Sequence, residues 1–186
     1  MGRGRFTHRA RGVAAAAAAA VCALPVTGCG LFSNKISSPS VMTVGSGAFL
    51  ANTMPARYTC DGGKALNPPL NWAGEPAGTK SFALVVDDSA APITPYVYWI
   101  VFDINPATSG IGEGKLPPGA RQALNSGGHA AYTPPCPGPQ GHAYRFTVYA
   151  LDTTLNLPQR TSLQSAWMAI AGATIGRGRI TVTATS

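Results

Sequence analysis

Charged residues are scarce in this chain of 186 residues. They make up 11% of it, with only 7 Asp and Glu against 14 Lys and Arg. Such a composition does not favour long solvated helices, whereas 22 glycines and 16 prolines favour short strands joined by turns. The positive charge forms no basic stripe with interleaved aromatic residues, so nucleic acid is not an expected partner.

The motifs of the common enzyme classes are also missing. There is no G-x-S-x-G turn, because Gly45-Ser46-Gly47 has the wrong spacing, and no H-E-x-x-H, P-loop or dinucleotide fingerprint. Four cysteines without a C-x-x-C spacing and three histidines give no pattern of metal ligands. We therefore expect a protein that is not an enzyme and needs no cofactor or metal, with a hydrolase as the weaker alternative.

The N-terminal segment concentrates the positive charge. Four arginines stand in its first eleven residues, and the apolar run Val13–Leu24 follows, which is too short for the ~20 residues of a bilayer span. Small residues then lead to Cys29, as at the processing site of an export signal. The segment resembles the lipobox of bacterial lipoproteins. It predicts a signal peptide over residues 1–28 and lipid on Cys29, with an unlipidated secretory signal as the alternative.

This interpretation divides the remaining chain into a tether and one domain. Residues 29–40 are polar and rich in serine, as expected of a lipidated tether, and residues 41–186 are long enough for a single domain with its own core. Without the signal peptide the chain keeps 10 basic and 7 acidic residues, a net charge of +3. We expect it at the extracytoplasmic face of the cell membrane, with the membrane as a partner through Cys29.

Two cysteines remain after these assignments. Cys22 would leave with the signal peptide and Cys29 would carry the lipid, so Cys60 and Cys136 are an even pair in an oxidising compartment. We predict a disulfide between them. Two buried free thiols are the alternative.

Apolar runs and turn residues predict a mostly β domain with one C-terminal helix packed on a sheet. The helix is expected at Leu163–Ala173, capped by Ser162 or Thr161. The longer strands are predicted at Ser81–Val86, Val97–Ile104, Tyr144–Leu151 and Gly178–Ala184. Shorter extended pieces are predicted at Val41–Val44, Ala48–Leu50 and Arg57–Cys60.

Seven segments form a recognisable pattern over nearly all of residues 41–186. In chain order they are Tyr58–Gly62, Asn67–Trp72, Pro76–Ser81, Leu84–Asp88, Trp99–Phe102, Pro134–Pro137 and Tyr144–Asp152. Together they resemble the phosphatidylethanolamine-binding protein family, in its bacterial Raf-kinase-inhibitor-like branch. The resemblance implies a large antiparallel sheet packed with a smaller sheet and flanked by short helices, including the C-terminal one.

The resemblance also implies a small pocket for a phosphate-like anion or a phospholipid head group. The family builds it from an Asp-Pro-Asp-x-Pro segment, a His before a Trp, and a Gly-x-x-His-Arg segment. The matching positions make Asp88, Pro92, Tyr98 and His142 the candidate ligand-binding residues. We expect Asp88 to orient His142 and to favour the protonated imidazole, which binds anions.

This chain departs from the family pattern at three polar positions. Ala90 stands in place of the second aspartate, Tyr98 in place of the histidine, and Ala143 in place of the arginine. The favoured function is a lipid-anchored extracytoplasmic binding protein for a small anion or a head group. The alternative is a protein-interaction or inhibitor module with a vestigial pocket, which binds an unidentified protein partner through a surface such as Asn105–Gly119.

Overall fold

The computed structural model describes residues 38–88 and 95–184. The predicted signal peptide and the predicted lipidation site Cys29 lie outside the described residues, and so does Pro92. All described residues belong to one compact unit, residues 37–186. None of the helices in this described part has the length and apolar character needed to cross a bilayer.

The described residues form two sheets, one α-helix and two short 3-10 turns. The large sheet has the order β1-β9-β8-β4-β5-β7 and the small sheet the order β2-β3-β6. The strands are β1 (Ser40–Val41), β2 (Thr43–Gly45), β3 (Leu70–Ala73), β4 (Ser81–Asp88), β5 (Val97–Ile104), β6 (Gly110–Ile111), β7 (Arg121–Gln122), β8 (His142–Leu151) and β9 (Thr174–Ala184). The helix is α1 (Leu163–Ala173). The predicted mostly β architecture is confirmed, with one refinement: β1 runs parallel to β9, so the large sheet is mixed.

Strand β4 explains how the core is divided. All eight of its residues are buried, since it pairs with β5 and β8 and is covered on both faces. Successive strand residues point to opposite faces. Phe82 and Leu84 therefore pack in a cluster shared with the small sheet, whereas Ala83 and Val85 pack in a second cluster under α1.

The helix begins and ends where the sequence predicts. The hydroxyl of Ser162 accepts a hydrogen bond from the backbone N–H of Ser165 at 3.1 Å, which makes Ser162 the N-cap. Ala166, Ile170 and Ala173 face the sheet and are buried. Strand β9 follows directly from Thr174, four residues earlier than predicted.

Two of the short extended predictions are wrong. Residues Ala56–Tyr58 and Cys60–Gly62 form 3-10 turns, because the hydroxyl of Thr59 accepts from the N–H of Asp61 and closes the second turn. In the predicted strand Ala48–Leu50, only Leu50 forms an isolated bridge, to Thr53.

The predicted disulfide between Cys60 and Cys136 is present, with a Cα–Cα distance of 5.2 Å. A backbone hydrogen bond of 2.9 Å from Cys60 N–H to the carbonyl of Pro135 lies beside it. The crosslink joins positions 76 residues apart and ties the second 3-10 turn to the loop that leads into β8. That loop ends at His142, the first residue of β8.

Candidate functional site

Asp88 and His142 meet at the ends of neighbouring strands. Asp88 is the last residue of β4 and His142 the first of β8, and Oδ2 of the carboxylate lies 2.7 Å from Nδ1 of the ring. The Asp88 side chain is 6% exposed, whereas that of His142 is 40% exposed. Since a carboxylate only accepts hydrogen bonds, Nδ1 carries the proton, and Nε2 is the ring nitrogen that can meet a molecule from solvent.

Tyr98 reaches this place through a β-bulge. The consecutive residues Val86 and Asp87 pair with Trp99 and Val97, which leaves Tyr98 as the extra residue of β5. Tyr98 and Trp99 therefore both pack against the core between the sheets, although neighbours in a regular strand point apart. The bulge brings Tyr98 close to Asp88.

The surroundings of Tyr98 keep its hydroxyl protonated. Burial is the main cause, and the charge of Asp88 and the nearby Tyr96 add to it, so that the pKa of Tyr98 rises to about 12. At neutral pH the phenol is a hydrogen-bond donor rather than an anion. It supplies one donor at the strand ends.

Tyr144 completes the lining, although it was not among the predicted site residues. Its Cα pairs with that of Asp88 across β8 and β4. Its ring stacks on His142 with centroids 6.2 Å apart and meets Tyr98 edge-on at 5.6 Å. The signal was present in the sequence, because residues two apart on a strand share a face and Tyr144 lies two beyond His142.

The hydroxyl of Tyr144 is a buried polar atom without a hydrogen-bond partner among the described residues. Burial, then Tyr98 and Asp88, raise the pKa of Tyr144, so this hydroxyl also stays protonated. An unpaired buried hydroxyl costs free energy, about 1–3 kcal/mol, unless a ligand or water satisfies it. A donor of this kind beside His142 is what a small bound anion would use.

Tyr96 extends the aromatic lining to the surface. Its ring lies 4.8 Å from that of Tyr98 and it is 40% exposed. Asn125, which is buried, holds the adjoining loop in place: its Nδ2 donates to the carbonyl of Tyr98, and its Oδ1 accepts from the N–H groups of Gly127 and His129. Asn125 is therefore a positioning residue for this rim.

Asp87 points to the opposite face of β4 and forms a different pair. Its two carboxylate oxygens accept from Nε and Nη2 of Arg145, the first at 2.9 Å. The hydrogen bonds to Asp87 raise the pKa of Arg145, which therefore remains a permanent cation. The sequence reasoning did not identify this ion pair.

Three of the four predicted ligand-binding residues thus lie together: Asp88, Tyr98 and His142. Pro92 lies outside the described residues. In residues 38–88 and 95–184, no cluster of His, Cys, Asp and Glu could hold a metal ion. The site therefore combines the imidazole of His142, hydrogen-bonded to the carboxylate of Asp88, with the hydroxyl donors of Tyr98 and Tyr144. Their role as ligand contacts stays a prediction.

The sequence profile described as phosphatidylethanolamine-binding protein matches residues 45–185. This match covers most of the chain, from the last residue of β2 to the end of β9. The chain belongs to the phosphatidylethanolamine-binding protein family.

Individual relatives agree with this family. A UPF0098 protein of Methanothermobacter thermautotrophicus is 39% identical over 132 residues, which cover 68% of this chain and 87% of the relative. A putative lipoprotein, LppC of Mycobacterium tuberculosis, is 41% identical over 129 residues, 68% of this chain and 63% of LppC. The chain therefore matches less than two thirds of the length of LppC.

Two solved structures share the fold. A putative phosphatidylethanolamine-binding protein homologue from Chlamydia trachomatis has a TM-score of 0.69 and 32% identity, over 78% of this chain and 97% of that one. YbcL of Escherichia coli, described as a new member of the mammalian PEBP family, has a TM-score of 0.71 and 28% identity, over 78% and 98%. The predicted fold class is confirmed.

Proposed function

We propose that this domain is a lipid-anchored, extracytoplasmic binding protein that takes a small anion, either free or as the phosphate of a phospholipid head group. One observation carries the proposal. The pair of the buried Asp88 and the partly exposed His142, 2.7 Å apart from Oδ2 to Nδ1, lies beside Tyr144, whose buried hydroxyl has no hydrogen-bond partner among the described residues.

The proposed binding mode follows from the donors at the strand ends. Nδ1 of His142 is hydrogen-bonded to Asp88, so a second proton on the ring binds to Nε2. The ring is then positively charged, and Nε2–H is a charged hydrogen-bond donor. Charge-assisted hydrogen bonds are roughly twice as strong as neutral ones. The hydroxyls of Tyr98 and Tyr144 would add neutral donors. A cationic ring binds an anion more strongly than a neutral ring, so we expect tighter binding of anions at mildly acidic pH.

The test is a thermal-shift titration at about pH 5.5 and about pH 7.5. Dimethyl phosphate and glycerophosphoethanolamine are the informative ligands, because the charge of a phosphodiester does not change between these pH values. Inorganic phosphate and acetate separate a head-group site from a general anion site. Saturable stabilisation that is larger at the lower pH and is lost in His142→Ala would support the proposal. No shift with any ligand would reject it.

The anchoring part of the proposal is supported by the lipobox at Cys29 and by the lipoprotein name of a relative, LppC. It predicts that labelled palmitate is incorporated into the protein in cells. Cys29→Ser should abolish the label and release the protein from the membrane fraction. Label retained in Cys29→Ser would place the lipid elsewhere and contradict this part.

We further propose that the site binds without catalysing a reaction. A nucleophile must be deprotonated or activated by a base, and the phenol of Tyr98 has a pKa of about 12. The pKa of Tyr144 is raised as well. Turnover of a generic ester that is lost in His142→Ala would overturn this statement.

A protein-interaction or inhibitor module is the second candidate. The observation that favours it is the loss of family polar groups, since Tyr98 and Ala143 stand where the family has a histidine and an arginine. In that case a surface such as Asn105–Gly119 would bind a protein partner. Cooperative melting that no anion shifts, at either pH, would favour this candidate over the first.

A further inference from the structure

One surface on the α1 side of the large sheet combines exposed apolar and basic side chains. Strand pairing places Val41, Arg177 and Tyr149 side by side across β1, β9 and β8. The ring of Trp167, on α1, lies edge-on to Tyr149 with centroids 6.5 Å apart. We call this surface the Trp167 face, which consists of Val41, Tyr149, Trp167, Met168, Arg177 and Arg179.

The apolar groups of the Trp167 face are unusually open to solvent. Val41 is 89% exposed, Met168 66% and Trp167 40%. Trp167 stands between two shallow grooves of about 260 Å³ and about 280 Å³, and it lines both. Pro39 and Ile170 line the first, and the second is lined by residues that include Val97 and Met168. Exposed apolar side chains grouped around two grooves are typical of a surface that binds a partner.

The charge on the Trp167 face indicates which kind of partner would bind there. Arg177 and Arg179 are both exposed. Burial raises the pKa of Tyr149, whereas the positive charges of Arg179 and Arg177 lower it, so both arginines lie near the hydroxyl of Tyr149. The carboxylate of Asp87, on the same side of the sheet, is already held by Arg145. The Trp167 face therefore presents net positive charge beside aromatic and thioether groups. Basic residues flanking an exposed tryptophan are suited to the interface of an anionic bilayer.

The position of the tether points to the same partner. Pro39 lines the groove beside Trp167, directly before β1, and Cys29 lies ten residues earlier. Ten residues span at most about 35 Å. A lipid on Cys29, which is part of the proposed function, would hold the Trp167 face within this distance of the bilayer and raise its effective concentration there.

We propose that the Trp167 face lies on the surface of an anionic lipid bilayer. The apolar side chains would enter the interfacial layer, and Arg177 and Arg179 would meet the lipid phosphates.

The test uses the chain from residue 29 onward with Cys29→Ser, so that no acyl chain contributes. It is mixed with vesicles of phosphatidylcholine alone and with vesicles that also contain phosphatidylglycerol, at low and high salt. Trp72 and Trp99 are buried, so a blue shift of the tryptophan emission reports the transfer of Trp167 out of water. Co-flotation measures the partition coefficient.

Matched variants separate the two contributions. We expect Trp167→Ser with Met168→Ser to lower partitioning about tenfold or more, since two apolar side chains are lost. Arg177→Gln with Arg179→Gln should lower it roughly fivefold per charge, and only for anionic vesicles. The apolar control is Leu116→Ser, at a position 39% exposed elsewhere on the domain, and the charge control is Lys64→Gln with Lys115→Gln.

The expected result is binding to anionic vesicles that weakens with salt, with losses confined to the variants of the Trp167 face. Equal binding to neutral vesicles, equal losses in the controls, or no binding would overturn the inference. A concentration-dependent dimer that Trp167→Ser abolishes would also overturn it, because a second copy would then cover the face. Labelling of Cys29 with palmitate is independent: unlabelled protein that still binds vesicles rejects the anchor and leaves this inference standing.

Discussion

Asp87 and Asp88 are adjacent in β4 and both are buried, yet they belong to opposite faces of the sheet and to different kinds of pair. Asp87 is bound by two nitrogens of Arg145, a permanent cation. Asp88 is bound by one ring nitrogen of His142, whose charge depends on pH and whose side chain is 40% exposed. The same residue type is thus placed in a structural pair on one face and in a candidate binding site on the other.

The partner, rather than the carboxylate, decides the role. Arg145 brings the positive charge that Asp87 needs at every physiological pH, so this ion pair leaves no carboxylate oxygen for a ligand. On the other face, His142 keeps Nε2 for a ligand, and Tyr144 has a hydroxyl that no described residue satisfies. We therefore expect changes to the pair of Asp87 and Arg145 to alter stability, and changes to the pair of Asp88 and His142 to alter binding of the anion.

The largest expected effect comes from the disulfide that secures the loop leading to His142. Removing it in Cys60→Ala with Cys136→Ala frees a loop closed over a separation of 76 residues. Chain entropy then predicts a loss of about 4.5 kcal/mol in the free energy of unfolding. Urea unfolding of this variant, and of the wild type with and without reductant, measures it. A loss below about 1 kcal/mol would mean that the crosslink adds little to stability.

The same variant sharpens the comparison of the two faces. Because the freed loop precedes His142, the thermal shift given by a phosphodiester should shrink in any protein that remains folded. The ion pair between Asp87 and Arg145 has no direct link to this loop. An unchanged ligand shift after removal of the disulfide would show that strand pairing alone positions His142.

The next effect tests the Asp87 face. Arg145→Met leaves the carboxylate of Asp87, 5% exposed, without its cation. Loss of one partner of a buried pair costs about 3 kcal/mol, at the lower end of the range because Arg145 is 22% exposed. The phosphodiester should still bind. In contrast, His142→Ala should abolish binding and cost less stability than Arg145→Met, because the side chain of His142 is 40% exposed.

The double variant Asp87→Leu with Arg145→Met is the control for this prediction. It removes both charges together, so most of the lost stability should return. A double variant as unstable as Arg145→Met alone would show that packing of the arginine, rather than the unpaired charge, causes the loss.

Local signals in the sequence were sufficient where one element decides its own ends. The helix Leu163–Ala173 was predicted to the residue because Ser162 supplies a cap and small apolar residues continue to its end. Strand Ser81–Val86 was predicted two residues too short, because two aspartates suggest a turn. They remain in the strand because β5 and β8 supply partners on both sides.

Contacts between distant strands are what sequence reasoning could not supply. The pair of Asp87 and Arg145 depends on the register of β4 and β8, over a separation of 58 residues. The bulge that turns Tyr98 toward Asp88 has no signature in its own residues. Asp88 and His142 could be placed together only because the family resemblance already related them.

A smaller effect separates the two buried tyrosine hydroxyls. Tyr144→Phe removes a hydroxyl without a partner among the described residues, so stability should stay the same or rise by up to about 1 kcal/mol, while the phosphodiester shift falls. Tyr132→Phe is the matched control, since its hydroxyl donates to the carbonyl of Tyr58 at 2.9 Å. It should cost about 1 kcal/mol and leave the ligand shift unchanged. A shift that Tyr144→Phe does not alter would remove Tyr144 from the binding site.

The smallest effect concerns Tyr98 at alkaline pH. Its pKa in the folded protein is about 12, against ~10 in an unfolded chain, so folding favours the neutral phenol. This contribution is complete below pH ~10 and is lost as the pH rises to about 12. Solvent screening limits it to about 1 kcal/mol, because Tyr98 is only half-buried.

Urea unfolding across this pH range, compared between the wild type and Tyr98→Phe, isolates the contribution of Tyr98. The variant should lose less stability than the wild type as the pH rises, since it has no phenol to ionise at this position. Asp88→Asn should lower the pKa of Tyr98 because it removes the nearby negative charge, while Asp87→Asn, on the opposite face, should have a smaller effect. Equal effects of the two substitutions would mean that the faces are not electrostatically distinct, and the contrast between structural and binding carboxylates would fail.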